Sequence, residues 1–259
     1  MSADLAPFLA LAYDLAAASG AILRRYFRQT IAVDDKSDAS PVTIADREVE
    51  QTLRVAITKA YPDHGILGEE FGAHNTDADH VWVLDPIDGT KSFITGKATF
   101  GTLIALCRKG APVVGVIDQP ITRERWIGAA GRATTFNGAT VKTRASVKLA
   151  DALLYATTPQ MFVGDDAAAF ERLTARVKYP LYGADCYAYG LLASGFTDLV
   201  CEASLKPYDY CALVPVVNGA GGKITDWQGD ALTIASGPRV LAAGDTGLHA
   251  QALAVLAGR

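Results

Sequence analysis

Two aspartates, Asp85 and Asp88, come directly after the apolar run at residues 81–84. The run has the length and composition of a buried strand, and the proline and glycine around the aspartates are expected to turn the chain and end the strand. Two carboxylates at the carboxyl end of one strand repel each other unless a cation lies between them. Hard divalent cations such as Mg²⁺ prefer oxygen ligands, so the pair predicts a metal site.

Gly89 and Thr90 follow this pair in the chain. If a helix begins there, their backbone N–H groups face an anion, because the first amides of a helix have no intrahelical partner. Metal ligands beside an anion site indicate chemistry on a phosphate. A turn needs only one aspartate, so the presence of both Asp85 and Asp88 favours a functional site over a simple turn. Thr90 alone could simply cap a helix.

Three further acids, Asp46, Glu69 and Asp209, share this context, because each is expected at a strand end or a helix start. Open α/β sheets bind ligands beyond the carboxyl ends of their strands. Ordinary alternatives remain open: Asp46 suits the helix dipole, and Asp209 suits a helix N-cap. Glu70, beside Glu69, is expected to be an exposed turn residue.

The 259-residue chain is half hydrophobic and has a net charge of −4, with 28 acidic and 24 basic side chains. The chain therefore lacks the excess of clustered lysine and arginine residues that is typical of nucleic-acid-binding proteins. The sequence contains no run of about 18 uninterrupted apolar residues, so we expect no membrane span. The N-terminus lacks a signal-peptide pattern. The four cysteines have no zinc spacing, and we expect reduced, mostly buried thiols of a cytoplasmic protein.

Several catalytic signatures are missing from the chain. A G-x-S-x-G elbow is absent, which argues against a serine hydrolase, and so is the phosphate loop of nucleoside triphosphate enzymes. The four histidines have no paired spacing and receive no role. Residues 219–222 are glycine-dense but lie between a predicted helix and a predicted strand, which favours a helix C-terminus over a phosphate cradle.

Hydrophobic periodicity predicts an α+β half at residues 1–145 followed by an α/β half at residues 146–259. The first half contains helices at 3–29 and 44–61, then mainly strands, with a hairpin at Asn137-Gly138. In the second half, a helix over 208–219 is expected to kink at Pro215. The other expected elements are strands at 64–70, 153–157, 198–202, 223–227 and 240–243 and helices at 165–177, 186–194 and from 246.

Four segments together carry a family resemblance. They are Ser40-Pro41-Val42-Thr43 with Asp46, Gly68-Glu69-Glu70, residues 82–90, and Tyr208-Asp209 followed by Gly219-Ala220-Gly221-Gly222. In this order they resemble the inositol monophosphatase-like, magnesium-dependent, lithium-sensitive phosphatases, over about residues 36–227. The resemblance implies a layered α/β/α/β/α sandwich, usually a homodimer, that acts on a small phosphorylated substrate.

The resemblance also implies a mechanism and a set of site residues. Phosphomonoester hydrolysis would proceed by direct in-line attack of a metal-activated water, with two to three Mg²⁺ ions per site. Thr90 and Glu69 would orient the water, with help from Asp46. The implied metal ligands are Glu69, Asp85, the Ile87 carbonyl, Asp88 and Asp209, with Asp46 near a further ion. The implied substrate-binding residues are Ile87, Asp88, Gly89, Thr90, Asp185, Glu202 and Asp209.

Within the family, residues 182–190, 205–209 and 225–229 resemble the histidinol-phosphatases of histidine biosynthesis. Inositol phosphatases usually carry Thr-Asn in place of Lys91-Ser92, and Trp in place of Tyr208. Because histidinol phosphate carries an ammonium group and an imidazole, Asp185 and Glu202 are predicted to contact that end of the substrate. An N-cap of the helix that follows is the alternative role for Asp185.

Other phosphatases of the same fold are the main alternatives, with inositol phosphates, fructose 1,6-bisphosphate or 3′-phosphoadenosine nucleotides as substrates. A nucleotide would be expected to use an aromatic shelf, and no aromatic cluster in the sequence is clearly dedicated to one. A non-catalytic phosphate- or metal-binding protein is a remote alternative. Such a protein would be expected to lose one of the metal ligands or Thr90, and all of them are present.

Overall fold

The computed structural model describes residues 4–35, 41–144 and 148–258. The helices within these ranges are α1 (Ala6–Tyr26), α2 (Ile44–Ala60), α3 (Thr90–Ile94), α4 (Asp165–Thr174), α5 (Tyr187–Ala193), α6 (Pro207–Tyr210), α7 (Leu213–Gly219) and α8 (Thr246–Leu256), with 3₁₀ turns at Leu149–Asp151 and Pro159–Met161. The strands are β1 (Val33–Asp35), β2 (Pro41–Thr43), β3 (Gly65–Gly68), β4 (Gly72–His74), β5 (His80–Asp88), β6 (Gly101–Arg108), β7 (Ala111–Gln119), β8 (Glu124–Ala129), β9 (Thr135–Phe136), β10 (Ala139–Thr140), β11 (Leu153–Ala156), β12 (Tyr179–Tyr182), β13 (Leu199–Glu202), β14 (Lys223–Thr225) and β15 (Val240–Ala243).

The larger sheet has eight strands in the order β10-β9-β8-β7-β6-β5-β3-β4. Its pairs are antiparallel except β3 with β5, which run parallel. β5 is buried along nearly its whole length, because helices cover both faces of the sheet. On one face α1 and α2 pack against the central strands, and on the other face α5, α6 and α7 do so.

The smaller sheet has five strands in the order β12-β11-β13-β15-β14. The first three run parallel, and β15 is antiparallel to both of its neighbours. One face packs on α5 and α7, which also contact the larger sheet, and α8 covers the other face together with α4. The layers therefore follow the order helices, sheet, helices, sheet, helices, which confirms the predicted α/β/α/β/α sandwich.

Local sequence explains where the two long N-terminal helices begin and what they bury. α2 begins with a capping box, in which the side chains of Thr43 and Asp46 each accept a hydrogen bond from the other residue's backbone N–H. α1 is, among the residues that the structure describes, the one helix long and apolar enough to cross a membrane by length and composition. Core helices meet the same criterion, and Leu15 and Leu23 of α1 are buried against β6 and β7.

Most predicted elements are present with ends displaced by a few residues, including the β9–β10 hairpin at Asn137-Gly138. The single helix expected over 208–219 is wrong, because the chain forms two short helices, α6 and α7. The interruption lies at residues 211–212, where Cys211 and Ala212 keep right-handed helical backbone angles. Pro215 has no N–H to bond the Cys211 carbonyl four residues earlier. The disturbance expected from Pro215 is therefore present as the break between α6 and α7.

Two further expectations have mixed outcomes. All four cysteines are buried and free, as predicted, while the cytoplasmic location stays a prediction. The division into two halves near residue 145 also stays a prediction. Helix α7, which belongs to the predicted second half, packs against both sheets. The loop expected over residues 36–40 lies outside the described residues.

Candidate active site

A bulge near the end of β5 places Asp85 and Asp88 on the same side of the sheet. Asp85 pairs with Leu103 of β6, but Asp88 pairs with Gly101. Between these two pairs β5 advances by three residues and β6 by only two, so β5 contains one extra residue. Residues three apart in a regular strand point to opposite faces, and one extra residue restores the same face. The proline and the glycine were expected to end the strand: Pro86 does not, because β5 continues through it to Asp88, and the strand ends directly before Gly89.

Asp209 completes an acidic cluster with this pair. One carboxylate oxygen from each of Asp85, Asp88 and Asp209 lies within 4.8 Å of the others. Helix α6 carries Asp209 to this point by packing on β5. The backbone N–H of Lys206 donates to Asp209 Oδ2 at 2.6 Å, so Asp209 stabilises the start of its helix and still faces the cluster. Lys206 occupies the N-cap position that was the alternative for Asp209, and Asp209 caps the helix from the third helical position. Its role as a metal ligand stays a prediction.

Glu69 reaches the same cavity from β3, the parallel neighbour of β5. Its backbone N–H donates to the Leu84 carbonyl at 3.2 Å, which places Glu69 beside the end of β5. The cavity has a volume of about 190 Å³ and is lined by Pro41, Glu69, Asp85, Ile87, Asp88, Gly89, Thr90, Lys91, Asp185 and Asp209. Residues more than a hundred positions apart thus converge at the carboxyl ends of β3 and β5.

Burial and mutual repulsion disfavour the ionised forms of these acids. Burial raises the pKa of Asp85 well above its ordinary value, and the charges of Glu69, Asp88 and Asp209 add to it. The pKa of Asp88 is raised in the same way, first by burial and then by Asp185. The pKa of Asp209 rises to about 7, mainly through burial. A divalent cation would compensate these charges, and the all-oxygen donor set fits Mg²⁺.

Asp46 lies fully buried beside this cluster at the start of α2. Its Oδ2 accepts hydrogen bonds from the Thr43 N–H at 2.8 Å and the Thr43 hydroxyl at 2.6 Å. Its Oδ1 is buried and has no hydrogen-bond partner among the described residues. Burial raises the pKa of Asp46 to about 6, with a contribution from Glu69. Such an orphaned oxygen fits the water or further ion predicted at this position.

The Gly89-Thr90 segment has the geometry expected of an anion site beside the metal cluster. Gly89 adopts a left-handed conformation, with φ of 85°, and directly precedes α3. A Cβ atom at Gly89 would lie 2.9 Å from the carboxyl group of Asp185, so only glycine fits here. The Thr90 hydroxyl donates to the Ile87 carbonyl at 3.1 Å, which leaves its lone pairs available to a water molecule.

Asp185 approaches Gly89 from the second half of the chain. Its carboxyl Oδ2 accepts a hydrogen bond from the Ser92 hydroxyl at 2.7 Å. Burial raises the pKa of Asp185, while Ser92, Lys97 and Lys91 lower it by smaller amounts. The alternative role as an N-cap of α5 is wrong, because Cys186 occupies that position and no side chain caps the helix. Asp185 is therefore available at the rim of the cavity.

Glu202 lies deeper than Asp185, at the end of β13, with 4% of its surface exposed. One oxygen accepts from Thr157, through its hydroxyl at 2.6 Å and its N–H at 3.1 Å, and the other accepts from the Tyr189 hydroxyl at 2.8 Å. Burial raises the pKa of Glu202 to about 7. Glu202 does not line the cavity, although its charge raises the pKa of Asp88 and Asp209. A direct substrate contact by Glu202 stays a prediction.

The structure adds two side chains that sequence reasoning did not identify. Glu50 is fully buried and accepts from the N–H groups of Glu70 and Phe71 at 2.7 and 3.1 Å, which fixes the turn that presents Glu69. Ser92 holds Asp185. The spacing of Glu50 four residues before Arg54, its ion-pair partner, was a weak indication in the sequence that Glu50 makes a structural contact. Nothing near Ser92 in the sequence indicated that its partner is Asp185.

A model of the inositol monophosphatase family matches residues 4–258. The chain belongs to the inositol monophosphatase family. It is therefore a phosphatase of a family whose members depend on Mg²⁺, and the acidic cluster around Asp85 is a suitable site for that metal. The resemblance described from the sequence motifs is confirmed, while the individual roles of the site residues stay predictions.

Similar proteins differ in the substrates their names give. The chain is 53% identical over 259 residues to the bifunctional phosphatase IMPL2, chloroplastic, of Arabidopsis thaliana, covering 96% of this chain and 75% of that protein. It is 34% identical to a histidinol-phosphatase of Chlorobaculum parvum, covering 87% and 88%. A solved inositol monophosphatase from Zymomonas mobilis has a TM-score of 0.91 at 45% identity, with 99% of this chain and 100% of that chain covered.

Proposed function

We propose that this phosphatase hydrolyses histidinol phosphate to histidinol and phosphate, with Mg²⁺ as its metal. The observation that carries the proposal is the Asp185 carboxyl group, which lines the cavity beside Gly89 and lies outside the Asp85, Asp88 and Asp209 cluster. A partly buried carboxylate at this point gains more from a cationic substrate than from a neutral one. The similarity to a histidinol-phosphatase supports the same choice.

The residues suited to hold two to three Mg²⁺ ions are those of the acidic cavity. They are Glu69, Asp85, the Ile87 carbonyl, Asp88 and Asp209, with Asp46 beside a further ion or its water. When bound, Mg²⁺ lowers the pKa of a coordinated water and stabilises negative charge on the leaving oxygen. Asp85 would be central to this ligand set, because its carboxyl group is close enough to Glu69, Asp88 and Asp209 for their charges to raise its pKa.

The chain's own groups position the reactants. The free amides before and in the first turn of α3, at Gly89 and Thr90, donate to the phosphate oxygens. The Thr90 hydroxyl and the Glu69 carboxylate accept hydrogen bonds from the attacking water and orient it towards phosphorus. Water attacks in line and forms the new P–O bond as the ester P–O bond breaks. The attacking water releases one proton, and the leaving alkoxide takes up one proton from solvent, so the products are the free alcohol and phosphate. No side chain forms a covalent intermediate in this scheme.

The variant Asp185→Asn tests this assignment, because it keeps the shape of the side chain and removes its charge. We expect kcat/KM for histidinol phosphate to fall roughly tenfold or more, as for loss of a charge-assisted contact. Hydrolysis of a neutral-alcohol ester such as inositol 1-phosphate should change much less. Equal losses on both esters would show that Asp185 does not contact the cationic end of the substrate.

An inositol phosphate is the second candidate substrate, favoured by the 45% identity to the inositol monophosphatase of Zymomonas mobilis. Hydroxyl groups could donate to Asp185 as an ammonium group does, although without its charge. In that case Asp185→Asn would lower hydrolysis of both esters by similar factors. Direct comparison of the two substrates decides between the candidates.

A further inference from the structure

A second cavity, of about 420 Å³, lies on the α1 side of the larger sheet. It is bounded by α1, by the turn between β7 and β8 and by the β9–β10 hairpin. Its polar lining includes Tyr13, Arg24, Asp118, Arg123, Arg125 and Asn137. None of its lining residues lines the acidic cavity, so the two cavities present separate sets of groups.

Three arginines and a single carboxylate, that of Asp118, line this second cavity. Asp118 is 4% exposed, and Arg125 Nε contacts its Oδ1 at 2.6 Å. Arg24 also lies close enough to lower the pKa of Asp118, although burial raises that pKa by more. Within residues 4–35, 41–144 and 148–258, neither Arg24 nor Arg123 forms an ion pair. The cavity is therefore positively charged, in a chain whose net charge is −4.

The nearest acid in the sequence does not neutralise this charge. Glu124 stands between Arg123 and Arg125, and side chains alternate across a strand. Glu124 accordingly faces α5, on the opposite side of the sheet, where it accepts a hydrogen bond from the Tyr187 hydroxyl at 2.7 Å. Arg125, its neighbour in β8, faces the second cavity instead. Arg123 lies in the turn before β8, with a φ of 60°, and lines the same cavity.

Contacts within the protein position the side chains of Arg125 and Arg24 and the turn that carries Arg123 before any ligand arrives. The Arg125 guanidinium lies 4.5 Å from the centre of the Tyr13 ring. Asn137 fixes the turn by accepting from the Arg125 N–H at 3.0 Å and donating to the Arg123 carbonyl at 2.9 Å. Gly20 lets Arg24 approach, since a Cβ there would lie 3.1 Å from its Nη1. Such preorganisation lowers the entropy lost on binding.

We propose that this cavity is a binding site for a small organic anion with a phosphoryl group. Guanidinium groups bind phosphate oxygens through paired N–H donors and remain charged at all working pH values. The volume falls within the range of about 300–1,000 Å³ that is typical of small-molecule sites. Unlike the acidic cavity, this site supplies its own positive charge, so it binds the anion without a divalent metal.

Metal dependence separates the two sites in an experiment. In EDTA the acidic cavity repels anions, because Glu69, Asp85, Asp88 and Asp209 have no cation to compensate them. Calorimetric titration of the whole protein with pyrophosphate in EDTA should therefore show one saturable site per chain, which weakens as NaCl is added. The variant Asp88→Asn should leave this affinity unchanged.

The double variant Arg24→Gln with Arg123→Gln removes both unpaired charges and keeps their hydrocarbon stems. We expect its affinity for pyrophosphate to fall roughly tenfold or more, with an unchanged melting temperature because both side chains are exposed. The matched control Arg132→Gln, which removes an exposed arginine of another surface, should bind as the wild type does.

Three results would overturn the proposal. The first is the absence of saturable pyrophosphate binding in EDTA, and the second is full affinity in the double variant. The third is tighter binding of citrate than of pyrophosphate, since this would show that the site selects carboxylates over phosphoryl groups.

Discussion

The replacement Asp209→Asn should stabilise the metal-free protein while removing its activity. Asp209 is partly buried among acids, and this raises its pKa from 3.8 to about 7. Asparagine has the same shape and no charge, and its side-chain oxygen can still accept the hydrogen bond from the Lys206 N–H. The substitution therefore removes a repulsive charge without disturbing the start of α6.

The size and pH dependence of the effect follow from this pKa. Between pH 3.8 and about 7 the native protein holds the Asp209 proton and the unfolded chain releases it, so the stability falls as the pH rises. The full cost above pH 7 is roughly 4 kcal/mol, since one pKa unit is worth about 1.4 kcal/mol. Water in the open cavity screens the charge, so we expect a gain of about 2 kcal/mol. This corresponds to about 5 °C in melting temperature.

Thermal unfolding of wild type and variant should be compared at about pH 8, in EDTA and in excess Mg²⁺. In EDTA the variant should melt higher, and the gain should shrink as the pH is lowered towards about 4. In Mg²⁺ the order should reverse, because the wild type keeps a ligand that the variant lacks. Exposed Asp77 supplies the control Asp77→Asn. A variant that melts at or below the wild-type temperature in EDTA at about pH 8 would show that the Asp209 charge does not destabilise the metal-free protein.

Three further substitutions have distinct expected outcomes. Asp88→Asn should lower Mg²⁺-dependent turnover at least a hundredfold with an unchanged circular dichroism spectrum; near-normal turnover would remove Asp88 from the metal ligands. Ser92→Ala should release Asp185 and lower kcat/KM for histidinol phosphate roughly tenfold but that for inositol 1-phosphate less; a uniform loss would argue for a general packing role. Gly89→Ala should impair hydrolysis of both esters, because its Cβ would lie 2.9 Å from the Asp185 carboxyl; normal kinetics would show that the segment adapts.

The acids of the site could be predicted because each follows a strand or begins a helix. Asp85, Glu69 and Asp209 are recognisable from such local context and from the motifs around them. Their convergence required the parallel pairing of β3 with β5 and the packing of α6 on β5. The bulge that turns Asp88 to the same side as Asp85 was not predictable, because it is visible only in the register of β5 against β6.

The groups that orient the site's acids were missed for a related reason. Ser92 meets Asp185 across 93 positions of the chain, and no local pattern records such a pairing. Glu50 is a charged residue between the apolar positions Val49 and Leu53 of α2, and the fold shows that it is buried with them. The disturbance expected from Pro215 is present, but it lies at residues 211–212, because the N–H that proline lacks would have bonded the carbonyl four residues earlier.

We propose that the acidic cavity hydrolyses a cationic phosphate ester with Mg²⁺. The most direct test is phosphate release by the wild-type protein from histidinol phosphate and from inositol 1-phosphate, each with Mg²⁺ and with EDTA. We expect kcat/KM to be at least roughly tenfold higher for histidinol phosphate, with no release from either ester in EDTA. Equal or faster hydrolysis of inositol 1-phosphate would contradict the substrate assignment, and turnover in EDTA would contradict the metal site.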